Sequence, residues 1–510
     1  MQKVGRYRFF LCYYSYMNAL EIERKFLLRP CSVKKFLKRH GYGYEAVPME
    51  QFYLRSDAGG SERYRRAGER YIHTLKSAAR GLVRDEREEE VDAETYRHFR
   101  ARAASGLIEK VRYRVRVGRL LFELDEFRGA LKGLVFLEVE FGSVEAAESF
   151  RVPAPFDRLL IADVSENPAF TNGALARTMC LPTLSESPEA ILERIARKRD
   201  FLKASVSVEF GPYESLGNAL RGILYSLMRT VRANREAILQ DDEDPERLHQ
   251  LRVAMRKMRV LLGLFPEAFA SEWLDRRRGE LSHLMHATGA ARDLDVALAQ
   301  IPRYREQMPR KCRGVIDRLG ERLARKRSAA QERLRRALKS GEFTEALNAL
   351  ERLAAGVSEE GWGEAASQPV LPAVAPVLRR RFKKVRKAGK KLGTDTPEEA
   401  YHRQRIRVKK LRYLTEFFAA VLDREATEEM TARLKEIQTV LGEHQDLAVQ
   451  REWIGEWMQE EFPEPPERRC LKRLRRRLGE EAGKRRELFG KKFGAFARSG
   501  ELLRRMICRD

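Results

Sequence analysis

The sequence predicts an α+β chain of two domains: an N-terminal eight-stranded antiparallel β tunnel or barrel, then an all-α bundle with an internal duplication. Three observations lead there. The 510 residues exceed what one ordinary core organises. Near residue 185 the pattern changes from short period-2 runs to long, charged, helical segments. Beyond that point two motifs recur at one fixed offset, the mark of a repeated structural unit. With 43% apolar residues, the chain has the material for folded cores.

Residues 1–18 read as an extension. Their basic residues and short aromatic run loosely imitate a signal peptide, but no small-residue cleavage site follows, and Met17 offers a later start. Strand patterns then come in order: EIERKFLL at 21–28, ERYRRA at 62–67, RYIHTLKS at 70–77, VRYRVRVG at 111–118, LFELDEF at 121–127 and VFLEVEF at 135–141. Gly-containing turns between them, such as that at Gly118, mark antiparallel hairpins. The first domain is expected over 19–180, with a linker at 181–204 that opens on the Pro- and Ser-rich LPTLSESPEA. The helical domain is expected over 205–505.

Within the helical domain, His249-x-x-Arg252-x-x-x-Arg256-Lys257-x-Arg259 recurs as His402-x-x-Arg405-x-x-x-Lys409-Lys410-x-Arg412, displaced by 153 at every position. Gly289-x-x-x-Asp293-Leu294 recurs as Gly442-x-x-x-Asp446-Leu447 at the same displacement. Two such units could pack about a pseudo-two-fold axis and bring their His/Arg stripes together. Leu248, Leu251, Met255, Met258 and Leu262 mark the buried seam of the first copy. The stripe follows one residue later, on the border of that seam.

Lys and Arg number 100 against 75 Asp and Glu, a formal charge of +25. Of that surplus, 18 lies beyond residue 200. Polyanionic partners follow: nucleic acid, an anionic membrane or polyphosphate. No stretch is long and apolar enough to span a bilayer, so no membrane insertion is expected. Nucleic-acid binding would favour interleaved aromatic residues for base stacking. Tyr401 and Tyr413 flank one stripe, but their counterparts are Leu248 and Val260, so a featureless polyanion fits better. Six cysteines, at 12, 31, 180, 312, 470 and 508, form no CxxC pair. This argues against a disulfide framework or zinc ribbon and for a reducing cytoplasm.

The strands carry their own chemistry. In Glu21-Ile-Glu23-Arg-Lys25 the pleat sends Glu21, Glu23 and Lys25 to one face. The same alternation recurs in Glu138-x-Glu140, Glu123-x-Asp125, Glu86-x-Glu88, Arg63-x-Arg65 and Lys110-x-Arg112, with Lys76 closing its strand. One such strand is usually a wet face crossed by salt bridges. Several together are better explained by a barrel with a polar interior, and eight strands enclose room for a small ligand. Carboxylates hold Mg²⁺ or Mn²⁺, and Lys and Arg neutralise phosphate oxygens, so the combination suits a metal–polyphosphate complex. No GxxxxGK[ST] loop is present.

Residues 19–180 resemble the CYTH domain, the triphosphate tunnel metalloenzymes. The resemblance rests on Glu21-x-Glu23-x-Lys25, Gln51-Phe-Tyr-Leu54, Arg63/Arg65, Thr74-Leu-Lys76, Lys110-x-Arg112-Tyr113, Glu123-x-Asp125-x-Phe127 and Leu137-Glu-Val-Glu-Phe141. It implies a tunnel that hydrolyses inorganic triphosphate or a related triphosphate with Mg²⁺ or Mn²⁺. By carry-over, Glu21, Glu23, Glu138 and Glu140 are metal ligands, and Lys25, Arg63, Arg65, Lys76, Lys110 and Arg112 cradle phosphate. Glu86, Glu88 and Asp125 stand on matching strands, and Asp163 occupies a place where the family pattern expects Glu.

Residues 205–505 resemble the CHAD domain through the two His/Arg motifs. That resemblance implies inorganic polyphosphate bound in a basic groove and association with polyphosphate granules, with His249, Arg252, Arg256, Arg259, His402, Arg405, Lys409 and Arg412 as the binding residues. Arg252, Arg256, Arg405 and Lys409 are expected to carry permanent charge, and the histidines to add theirs below pH ~6.5. No nucleophile–base pair marks this half as a catalyst. The favoured reading is a metal-dependent triphosphatase joined to a polyphosphate binder. The alternatives are a class IV-type adenylate cyclase on the same barrel and a non-catalytic scaffold for polyphosphate or nucleic acid.

Overall fold

The computed structural model describes residues 19–507 except 58–59, 78–82, 104, 198–199, 207, 212, 241–243, 357–359 and 461–463. The expected extension 1–18 lies outside the described residues, as do the side chains of residues 19–21, 83–86 and 460. The chain forms two compact units that divide between Pro182 and Thr183.

The first unit contains strands β1 (Ala19–Leu28), β2 (Glu45–Asp57), β3 (Gly60–Ala67), β4 (Arg70–Ser77), β5 (Val83–Val91), β6 (Ile108–Val117), β7 (Leu120–Phe127), β8 (Val135–Glu140) and β9 (Leu160–Asp163). All ladders are antiparallel, in the order β5-β4-β3-β2-β6-β7-β8-β1-β9. There are nine strands where eight were expected. Ala19–Ile22 of β1 also pair with Val83–Glu86 of β5, which joins the first eight strands into a ring. From Phe26 to Leu28 the same edge of β1 takes β9 instead, and no ladder joins β5 to β9 among the described residues. Closure is therefore confined to one end. The strand ends are sharp where sterics demand it: Gly60 opens β3 at φ +133°, and a Cβ there would lie 2.3 Å from the Lys76 carbonyl oxygen.

Polarity is inverted relative to a filled barrel. Charged alternate residues face inward, and the apolar alternates face outward under short helices. Phe26, Leu28, Tyr113, Val115, Phe122, Leu124, Leu137 and Val139 form the main core with Val33 and Leu37 of α1 (Val33–Arg39). Tyr96 of α2 (Ala93–Arg100) packs with Phe52 and Tyr64 in a second cluster. Two further helices follow, α3 (Val144–Ser149) and α4 (Asn172–Thr178), capped by Ser143 and Thr171.

The second unit is helical. α5 (Pro188–Ala196), within the stretch expected as linker, buries Ile191 and Ile195 in the helical core. Then come α6 (Leu216–Leu239), α7 (Pro245–Leu262), α8 (Ser271–Ala287), α9 (Gly289–Gln307), α10 (Arg310–Lys339), α11 (Gly341–Ala354), α12 (Val370–Gly389), α13 (Glu398–Phe417), α14 (Arg424–Glu460), α15 (Pro465–Ala497) and α16 (Gly500–Ile507). The 153-residue displacement carries α7 onto α13 and the pair α8 and α9, interrupted at Thr288, onto the single helix α14. All five seam residues of α7 are buried. A separate core joins the ends of α9 and α14 to the starts of α10 and α15.

Cys312 of α10 and Cys470 of α15 form a disulfide inside that second core, Cα to Cα 5.5 Å. The expectation from cysteine spacing fails here. The partners sit near the starts of corresponding helices in the two copies, so the fold brings together residues 158 apart that no local pattern links. At this pair the spacing argument for a reducing compartment loses its basis. Among the described residues no helix is long and apolar enough to cross a membrane.

Gly389 closes α12 against two buried neighbours. A Cβ there would meet the Phe493 ring at 2.2 Å and Gln404 Nε2 at 2.9 Å. Gly389→Ala should destabilise the helical unit by about 1–3 kcal/mol through overpacking. Thermal unfolding monitored by circular dichroism would show it as a lowered Tm, and an unchanged Tm would contradict this packing.

Candidate functional sites: a charged tunnel and a cationic helical cluster

Register decides which charges meet inside the ring. Glu23 stands opposite Glu140 and Lys25 opposite Glu138 across β1 and β8. Glu138 stands opposite Glu123 on β7, which faces Arg114 on β6, while Asp125 faces Arg112. On the other side Arg63, Thr74 and Glu88 line up across β3, β4 and β5. These inward residues border a cavity of about 710 Å³. Its wall contains the sequence-predicted Glu23, Lys25, Arg63, Arg65, Lys76, Arg112, Glu138 and Glu140, together with Glu88.

A buried chain of alternating charge runs beneath that wall. Lys25 Nζ lies 2.9 Å from Glu138 Oε1. Glu138 also accepts from Arg112, whose Nε and Nη2 donate to Asp125 at 2.7 Å each. Lys110 pairs with the same Asp125, and Arg112 and Arg114 share Glu123. Burial opposes ionisation of Glu138 and Asp125. The cations Lys25, Arg112 and Lys110 around Glu138, and Arg112 and Lys110 around Asp125, overcome it and hold both carboxyls below their usual range. Lys110 falls to about 8, chiefly through burial and despite Asp125. For Lys25 burial also lowers the affinity for the proton, but Glu138 and Glu23 outweigh it and the ammonium is held above its usual value.

Lys110 therefore differs from its expected place. It is absent from the cavity wall and its ammonium is spent on Asp125, which is itself fully buried. It positions Arg112 from behind. Glu88 accepts from Arg65 at 3.0 Å, Thr74 at 2.9 Å and Arg63 at 3.4 Å. Burial pushes its carboxyl up, but the two guanidiniums bring it below the usual value. Asp163 points elsewhere: Arg24 and Ser165 bind it, and Arg24 lies on the face of β1 opposite Glu23 and Lys25. Glu21 is in β1 opposite Arg84 and Glu86 is in β5 opposite Lys76, but both side chains lie outside the described residues.

Sequence reasoning missed Arg177. It projects from α4 into the same cavity wall and donates from Nη1 to Ser56 O at 2.5 Å and Ser56 Oγ at 2.9 Å. The one signal was Thr171 ahead of NGALART, an N-cap whose hydroxyl accepts from Ala174 N at 3.2 Å.

The donor set fits a hard divalent cation. Two carboxylates directly opposite on paired strands repel, and Glu23 and Glu140 do so at the cavity wall, where a cation between them would remove the repulsion. Among the described residues, no three His, Cys, Asp or Glu side chains already converge at metal-binding distance.

In the helical unit α7 packs on α13. The two stripes meet, as the mutual effects of their charges show. Burial together with Arg292, Arg256 and Lys409 holds His249 below its usual pKa, so it is neutral at pH 7. Burial, Arg405 and Arg256 bring Lys409 down to about 7 against the pull of Asp446, which corrects its expected permanent charge. Arg405 is lowered by burial and Arg256, and its Nε is buried without a hydrogen-bond partner. Arg252 donates to Met285 O at 2.6 Å and Thr288 Oγ1 at 2.8 Å, at the break between α8 and α9. Asp293 and Asp446, from the second repeated motif, sit among these cations, and burial pushes both carboxyls up. The stripe ends diverge. His402 meets Gln445 at 2.7 Å, Arg412 pairs with Glu416 at 3.3 Å, and Arg259 is exposed. Arg292 was missed because it belongs to neither motif.

A charged antiparallel tunnel joined to a duplicated helical unit with a cationic centre defines a class: a β-tunnel domain fused to a duplicated helical domain with a basic centre. The chain belongs to the CYTH family and carries a CHAD domain. The CHAD family model matches residues 222–455. The inorganic triphosphatase of Nitrosomonas europaea is 37% identical over 161 residues, 31% of this chain and 96% of that protein. An uncharacterised protein of Mycobacterium tuberculosis is 32% identical over 212 residues, and the match spans only 39% of its length. The crystal structure of the CHAD domain from the plant Ricinus communis aligns at 24% identity over 57% of this chain and 96% of its own, with a TM-score of 0.48.

Glu138, Asp125, Glu88 and Asp163 have folded pKa values below their unfolded ones. Each contributes stability that is present above the unfolded value, near ~4, and lost as pH falls through the folded one. The Tm of the full chain should hold between pH 5 and 7 and drop below ~4. Asp125→Asn leaves Lys110 and Arg112 short of a buried countercharge and should cost about 3–5 kcal/mol at pH 7. A wild-type Tm for that variant would contradict the ion chain.

Proposed function

We propose that the tunnel hydrolyses inorganic triphosphate or a closely related triphosphate with Mg²⁺ or Mn²⁺, and that the helical unit binds inorganic polyphosphate. The observation that carries the first part is the meeting of Glu23, Glu140 and Glu138 with Lys25, Arg63, Arg65, Lys76 and Arg112 around one cavity. Identity to the Nitrosomonas europaea inorganic triphosphatase over nearly all of that protein supports it.

Glu21, Glu23, Glu138 and Glu140 would hold the metal, which when bound polarises the phosphoryl group and lowers the pKa of water. The rest falls to the chain. Arg63 and Arg65 are turned inward on Glu88, and a phosphate group can take the place of that carboxylate. Lys25 and Arg112 are locked by Glu138 and Asp125, so their charge is already oriented where negative charge develops on the transferred group. Lys110 keeps Arg112 in place without touching the cavity. Tyr53 and Phe170 are the aromatic residues of the wall, and the wall is otherwise suited to a compact polyanion.

Phosphate release from inorganic triphosphate and from ATP, with Mg²⁺ and with Mn²⁺, tests the reading. Triphosphate should have the higher kcat/KM. Glu23→Gln and Glu140→Gln should each lower turnover about 100-fold with the fold intact. Wild-type turnover in both variants would remove the ligand assignment, and conversion of ATP to cyclic AMP would favour the cyclase.

The polyphosphate reading rests on the meeting of the two stripes. A bound polyanion favours charged Lys409, so binding should take up a proton near pH 7–8. Affinity of the full chain for long polyphosphate should fall as pH rises from 6 to 9, and Lys409→Arg should flatten that fall. Calorimetry in buffers of different ionisation enthalpy reads the proton directly. No uptake, together with an unchanged pH profile in Lys409→Arg, would contradict the assignment.

A further inference from the structure

Beside the α7/α13 cluster lies a second cationic feature, of which the repeated motifs supply only Lys410. A cleft of about 630 Å³ runs between α12 and α13. Lys384 and Lys387 line it from α12, with Lys391 just beyond, and Arg403, Arg407 and Lys410 line it from α13. The spacings i, i+3, i+7 and i, i+4, i+7 put each set on one helix face, a row of about 10 Å. No carboxylate lines the cleft, and among the described residues none of these six pairs with one. Like charges at these spacings destabilise each helix. The fold carries that cost with no internal relief. Arg381 continues the lining, and its Nε is buried without a hydrogen-bond partner.

We infer that the α12/α13 cleft is a second polyanion subsite, which takes the continuing chain of a long inorganic polyphosphate held at the α7/α13 cluster. The inference rests on the polyphosphate reading of that cluster. Two further observations choose this ligand. The apolar part of the lining is Ala388 and Ile406, with no aromatic residue, so nucleic-acid bases have nothing to stack on. The two sites also share α13. His402, Arg405 and Lys409 follow one row of that helix, and Arg403, Arg407 and Lys410 the next, roughly 100° around the axis, so the two rows lie within about 10 Å of each other. Lys410 joins them electrostatically: burial and the neighbouring Arg381, Arg278 and Arg259 hold its pKa below the usual value. A flexible chain engaged at the first site meets the second at high effective concentration.

The test uses the full chain with long-chain polyphosphate in the absence of metal. The quadruple variant K384A/K387A/R403A/R407A should bind at least 10-fold more weakly than wild type. The slope of log affinity against log salt should become shallower by about 3, as expected for four lost phosphate contacts. A control variant, K472A/R473A/R475A/R476A, removes the same charge from α15 and should stay within 2-fold of wild type. The substituted side chains of the first variant lie at the surface of the cleft, so its Tm should equal or exceed that of wild type. Equal losses in the two variants, or no loss in either, overturn the subsite. If R256A/R405A abolishes binding while K384A/K387A/R403A/R407A does not weaken it, only the second site fails. If wild type itself does not bind, the polyphosphate reading fails as well. Duplex DNA that displaces polyphosphate from wild type as readily as polyphosphate itself would overturn the ligand class.

Discussion

The tunnel depends on one buried arrangement, the alternation Lys25–Glu138–Arg112–Asp125–Lys110, with Glu123 beside Arg112. Each ion withdrawn from water costs several kcal/mol before compensation. The compensation is complete here, since the three cations and three anions balance and each touches the opposite sign. The partners come from β1, β8, β7 and β6, so the chain exists only when these strands lie in register. A slip by one residue would turn every charge to the outer face. The same constraint explains why the apolar core lies outside the ring. The inward positions are committed to charge, and α1, α2 and their neighbours must cover the outward ones.

The helical unit solves a different problem. Duplication places two equal cationic stripes on helices that pack together, so each copy repels the other. Burial lowers the pKa values of His249, Arg405 and Lys409 most, and that repulsion lowers them further, through Lys409 on His249 and Arg256 on Arg405 and Lys409. The apolar seam of α7 and its continuation in the shared core hold the two copies together against it. The copies are not identical in use. Arg252 is tied to the broken α8/α9 junction, whereas the corresponding helix α14 is continuous and Arg405 keeps an unpartnered Nε. The second copy is thus the one with more donor capacity left for an anion.

Much of this was legible in residues alone, for stated reasons. Period-2 alternation found β1, β3, β4, β6, β7 and β8 because their apolar faces are buried on one side. In β5, where residues 87–90 are all exposed and charged, it picked out only Glu86-x-Glu88, and it passed over β9, which has only four residues, and most of β2, which contains Pro48. Alternation also gives a face but not a depth. Lys110 and Arg112 share a face, yet Arg112 reaches the cavity and Lys110 stops at Asp125. The offset of 153 correctly paired α7 with α13, because insertions are absent between the motifs. It could not show that Lys409 would be charged only in part near neutrality, since that follows from how closely Arg405 and Arg256 approach it. Cys312 and Cys470 escaped for the same reason: their meeting is tertiary.

The two units treat anions by opposite electrostatic logic. The tunnel wall mixes signs, and its cations are largely neutralised by carboxylates such as Glu138 and Glu88 before any ligand enters. A phosphate group there must compete with those carboxylates, so net attraction is modest and geometry selects. A compact substrate that must also leave is suited by that balance. The α7/α13 cluster has few acids, and Asp293 and Asp446 are themselves pushed toward the neutral form by burial. Its attraction is unspent, weakly selective in geometry and sensitive to salt. Such a surface suits a long polymer retained by many weak contacts. On the proposed reading, selective positioning of phosphate is separated from its retention, because carboxylates stand against the cations of the tunnel wall and few stand within the α7/α13 cluster.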